Sequence, residues 1–166
     1  MGRIAIAMTL SIATAACSGR ANENGQVASG DSSFAELQTR GASVMGVDQY
    51  ASQHVFETLP DGGRIVLEMR ADGDTAAVAE IRTHMRAIVT DFRNGDFAKP
   101  FQVHAENVPG TRTMADRSEQ IQYHATNRPR GAEVRIVTSD LTALAAIHEF
   151  LAFQRDDHRA AGHDGH

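Results

Sequence analysis

Residues 54–92, HVFETLPDGGRIVLEMRADGDTAAVAEIRTHMRAIVTDF, carry the pattern that decides the fold. From Arg64 to Arg70 the side chains alternate, with Ile65, Leu67 and Met69 on one side and Arg64, Glu68 and Arg70 on the other. A period of two is that of a strand buried on one face. His54 to Leu59 alternates more loosely, and Pro60-Asp61-Gly62-Gly63 supplies turn chemistry between the runs. The pair predicts a β-hairpin with one wet face. Asp74 then stands at a helix N-cap, where a carboxylate accepts a first-turn N–H. Val78, Ile81, Met85, Ile88 and Phe92 recur at helical spacing, and Asn94-Gly95 ends the run.

The same order returns near the C-terminus. Ile121 to Thr126 alternates with Ile121 and Tyr123 inward and Gln122 and His124 outward, Asn127 to Gly131 reads as a turn, and Val134, Ile136 and Thr138 share the next inner face. Asp140 caps a helix through DLTALAAIHEFLAFQRDDH, residues 140–158, in which Leu144, Ile147, Leu151 and Gln154 form one stripe. Asp74 matches Asp140, and Ile81-Arg82-Thr83-His84-Met85 matches Ile147-His148-Glu149-Phe150-Leu151, which sets Arg82 against His148. Two such ββα units complete one core between them. The expected fold is therefore α+β, a mainly antiparallel sheet with two helices packed on one face, spanning residues 47–159 as a single domain. Between the units, Phe101 to Ala105 reads as a short strand with Gln102 and His104 outward, and Asn107 to Arg117, containing Pro109-Gly110, reads as a loop.

Upstream, residues 1–16 have the organisation of an export signal. Arg3 gives a positive start, Ile4 to Ala13 an apolar run, and Ala13, Thr14 and Ala15 a small-residue cleavage site. Cys17 follows in the context Thr14-Ala15-Ala16-Cys17-Ser18, which resembles a bacterial lipobox, with Thr14 where leucine is usual. Lipidation of Cys17 is expected, with ordinary cleavage before Ala16 as the alternative. Residues 17–46 are rich in Gly, Ser, Asn and Ala and read as a flexible tether, with a short helix weakly suggested around Phe34 to Gln38.

Composition narrows the function. A net charge of −5 without a long Lys/Arg run argues against a nucleic-acid partner. No stretch approaches the ~18 to 20 apolar residues of a membrane span, so membrane contact is expected only through a lipid anchor at Cys17. Cys17 is the single cysteine, which leaves the folded domain with imidazole and oxygen donors for any metal. The chain has eight histidines, an enrichment that points to a divalent Cu, Zn or Ni ion. His104 and His124 are placed on the outward sheet face, His54 near a strand start, and His148 beside the apolar stripe of the last helix, and these four are the candidate ligands. His158 is explained by a helix C-terminus, which favours positive charge, and residues 160–166 form a histidine-containing tail. No HExxH motif and no Gly-x-Ser-x-Gly elbow is present.

From the Asp48 region through Asp61-Gly62-Gly63, IRTHM at 81–85, Val108-Pro109-Gly110 and IHEFLAFQRDDH at 147–158, the chain resembles a group of small exported bacterial proteins of unassigned function. That resemblance implies no activity and no functional residue. The expected function is an exported, lipid-anchored ligand-binding domain with a histidine-bound metal as leading candidate. The competing readings are a non-catalytic envelope interaction module and a small hydrolase or isomerase using His148 with a nearby carboxylate. The site would lie in the periplasm or on the membrane-anchored cell envelope.

Overall fold

The computed structural model describes residues 23–160, so the export signal, Cys17 and the tail histidines His163 and His166 lie outside the described residues. Two hairpins build the sheet: β1 (Ser52–Leu59) with β2 (Gly62–Met69), and β3 (Ile121–Arg128) with β4 (Gly131–Thr138). They meet along β2 and β4, giving the order β1-β2-β4-β3, antiparallel throughout. Ile65 opposite Val134 sits at the middle of that junction. The fold is the expected α+β arrangement of paired ββα units.

Both long helices start where an aspartate accepts a first-turn amide. Asp74 takes the Ala77 N–H at 2.9 Å at the head of α2 (Thr75–Arg93). Asp140 takes the Ala143 N–H at 2.8 Å at the head of the last helix, α5 once the intervening helices are numbered (Leu141–Asp157). Such a cap is worth about 1 kcal/mol. Each helix covers mainly the other unit's hairpin, α2 lying over β3 and β4 and α5 over β1 and β2. Ile81, Met85 and Phe92 from α2 and Ile147, Phe150 and Leu151 from α5 meet Phe56, Ile65, Leu67, Tyr123, Val134 and Ile136 from the sheet in one core.

The two central strands begin on equivalent glycines. A Cβ on Gly62 would lie 2.1 Å from the Ile136 carbonyl oxygen, and one on Gly131 would lie 2.0 Å from that of Leu67. Close approach of the central strands therefore demands a hydrogen at both places.

Three stretches differ from the sequence reading. Much of the expected tether is helical, as α1 (Glu23–Met45), and it buries Leu37, Gln38, Gly41 and Met45. Residues at spacing four give it a narrow stripe, too sparse to register as an apolar face. The expected strand at Phe101–Ala105 is instead helix α3 (Ala98–His104). Pro100 falls in its first turn, where the missing N–H is not needed, and burial of Pro100, Val103 and His104 with Phe101 half exposed follows a helical spacing. The expected loop at Asn107–Arg117 holds the short helix α4 (Thr111–Asp116), anchored by the fully buried Met114. Arg40 of α1 donates to the Val103 carbonyl at 2.7 Å, tying the first helix to the third.

Candidate functional site

The open face of the sheet, expected to gather histidines, carries an ion-pair lattice. Arg64 pairs with Glu57 and, at 4.0 Å, with Glu133, while Arg128 pairs with Glu133 at 3.2 Å and Glu68 at 3.3 Å. His124 is on this face, exposed, and directly opposite Arg135 in the strand register. The other three candidate histidines are not on this face, and among the described residues His124 joins no group of three or more His, Cys, Asp or Glu that could hold a metal ion.

His148 is withdrawn. Its Nε2 lies 3.0 Å from the Leu59 carbonyl and 3.0 Å from that of Gly62. A nitrogen between two acceptors carries the proton and donates to both. It ties α5 to the β1–β2 turn and has no lone pair free on that nitrogen for a metal or a substrate proton.

His54 and His104 do come together, but inside the helix-covered layer. His54 is opposite Leu67 in the register and so shares the core face with Phe56. Its ring stacks on Phe56 at 5.5 Å and lies 4.9 Å from the ring of His158. His104 projects from the end of α3 and stands edge-on to His158 at 5.0 Å. Its Nδ1 meets the Asp157 carboxylate, and its Nε2 lies 3.0 Å from Gln154 Oε1. A carboxylate on one ring nitrogen fixes the orientation of the ring.

These rings wall a cavity of about 60 Å³, lined also by His84, Met45 and Met85. Four elements, α1, β1, α2 and α3, supply five of these six side chains, and His158 comes from the C-cap of α5. No aspartate or glutamate is among the lining residues. Lys99 also reaches the cavity, with its ammonium paired to Asp91. On the solvent side, His54 and His158 line a polar groove of about 390 Å³ with Gln38, Tyr50, Arg70 and Arg159. Those two rings are the partition between groove and cavity.

Burial keeps His54, His84 and His158 neutral. It lowers His54 to about 4, helped by the nearby His84 and His104. It lowers His84 to about 4, with Lys99 pushing the same way and Asp91 opposing. It lowers His158 to about 2, again aided by His54 and His104. Imidazoles of this kind present lone pairs at neutral pH.

His158 and His84 were not among the ligands expected from sequence. The signal for His158 was present: Ile147, Leu151, Gln154 and His158 continue one helical stripe, which turns His158 inward. His84 likewise falls beside Ile81 and Met85. As the side chains stand, the described residues include no group of three or more His, Cys, Asp or Glu that could hold a metal ion. The chain matches no family model, no curated protein and no solved structure.

Proposed function

We propose that the protein is an exported, lipid-anchored domain that takes up a transition-metal ion at the histidine-lined cavity between the sheet and helices α1, α2, α3 and α5. The observation that carries this reading is the contact of His158 with both His54 and His104 at the wall of a space of about 60 Å³. That space suits about two waters, each occupying roughly 30 Å³, and is well below the ~150 Å³ that admits benzene. The ligand is therefore of the size of an ion with a water, not of an organic ring. Rings packed at 4.9 and 5.0 Å receive it by turning His54 and His158 about their side-chain torsions. Export rests on Arg3, the apolar run Ile4 to Ala13 and the small residues before Cys17. The ion pairs across the open sheet face weigh against the interaction-module reading at that face, and the two carbonyls at His148 Nε2 give that nitrogen a structural role.

The test is metal content and thermal shift with copper, zinc and nickel on the full chain carrying His163→Ala and His166→Ala, which removes scavenging by the tail. Stoichiometric uptake lost on His54→Gln or His158→Gln is expected. Absence of any uptake, or uptake indifferent to both substitutions, overturns the proposal.

A further inference from the structure

Three imidazoles alone do not account for the lining of the cavity. Met45, at the end of α1, and Met85, in the middle of α2, reach it from opposite helices, 8% and 2% exposed. In a plain core these would be gap-fillers. Here they bring two thioethers to the same space as His54, His104 and His158.

Resting on the reading of the cavity as a metal site, we infer that its ion is monovalent copper, held by imidazole nitrogen from His54 and His158 with thioether sulfur from Met45 and Met85. Soft thioether donors select Cu(I), whereas carboxylate and water ligands select hard divalent ions, and no carboxylate lines this cavity. Charge argues the same way. The cost of bringing an ion into an apolar space scales with the square of its charge, so a monovalent ion incurs about a quarter of the divalent penalty. Most of the remaining wall is apolar, with Phe56, Ile65 and Val103 among it, and the Lys99 ammonium that also lines it is paired with Asp91. Low coordination number suits a place with room for little water.

Asp157 and His104 complete the arrangement as a positioning pair. With Nδ1 committed to the carboxylate, His104 directs Nε2 inward, where Gln154 now meets it. Access runs through the polar groove, since His54 and His158 belong to both spaces. Turning these two rings opens the partition and presents their nitrogens in one motion.

The experiment uses the full chain with His163→Ala and His166→Ala, kept anaerobic with ascorbate. Cu(I) affinity is measured by competition with a chromophoric Cu(I) chelator, Zn²⁺ affinity by competition with a zinc dye, and the copper edge by X-ray absorption. Expected are one tightly held Cu(I), a sulfur scatterer beside nitrogen, and a loss of at least about tenfold in Cu(I) affinity on Met45→Leu with Met85→Leu, with Zn²⁺ affinity unchanged. Leucine nearly conserves volume, so the double variant keeps its fold, and an unchanged Tm verifies this. A nitrogen-only copper site indifferent to the methionine changes, or uptake of zinc or nickel but not Cu(I), overturns this inference and leaves the metal reading standing. No uptake of any ion overturns both.

Discussion

Arg82 of α2 and His148 of α5 do the same job at the two ends of the sheet. His148 donates to the carbonyls of Leu59 and Gly62, the last residue of β1 and the first of β2. Arg82 donates to Arg128 at 2.7 Å and to Gly131 at 3.2 Å, the last residue of β3 and the first of β4. Each helix thus holds the turn of the hairpin it covers, and a guanidinium and an imidazole are interchangeable here because both offer N–H groups to converging carbonyls. Arg82→Ala and His148→Ala are each expected to cost about 1–2 kcal/mol in urea unfolding, since carbonyls lose their donor. Neither is expected to change metal uptake. A change in uptake with His148→Ala would return that residue to the site.

Tyr123 gives the opposite expectation. Its ring is fully buried and set edge-on to Phe92 at 5.7 Å, yet its hydroxyl has no hydrogen-bond partner. Burial accordingly drives its ionisation well above the ordinary tyrosine range. Tyr123→Phe is expected to leave stability unchanged or raise it by up to about 1 kcal/mol, because it removes an unpaired polar atom without opening a cavity. A loss of more than about 1 kcal/mol in denaturant unfolding would mean that the hydroxyl has a partner.

The neutral rings set a pH dependence. His54 and His84 move from 6.5 to about 4 on folding. Above pH 6.5 both states carry neutral rings, and these groups add no slope. As the pH falls from 6.5 towards 4, the unfolded chain binds protons that the folded one excludes, so stability is lost, by at most about 1.4 kcal/mol per pH unit for each ring. Lys99 reinforces this at His84, and Asp91 opposes it. Unfolding curves at pH 7.5, 6 and 5 are expected to show the loss, with a shallower fall in His54→Gln. Equal slopes in the two proteins would contradict a buried neutral His54.

Cys17 decides the anchor. In a bacterial host with a lipoprotein pathway, the full chain is expected in the membrane fraction and to incorporate labelled palmitate, and Cys17→Ser is expected to release it as a soluble exported protein. Export of the unsubstituted chain without label would favour cleavage before Ala16.

The hairpins, both aspartate caps and the matching of Arg82 with His148 were legible in the sequence because each is a local signal: alternation, a turn rich in glycine, a carboxylate before an apolar stripe. The misread segments were short or weakly patterned. Five residues from Phe101 alternate by chance within a helix of seven, and α1 shows only Leu37, Gly41 and Met45 at its stripe. The site was half legible. His54 and His104 were named, but His54 was given no face and His104 the outward one, since a strand parity was given to a residue that lies on a helix. Convergence with His158 depends on α5 lying over β1 and on α3 meeting the end of α5, which no local pattern records.

The crossed cover of the sheet fixes the order in which the molecule matures. Neither ββα unit has its own lid, so a chain made from its N-terminus has no lasting half-product. The first hairpin waits roughly seventy residues of synthesis for α5, and His158, the last of the cavity's residues, follows at the C-cap of that helix.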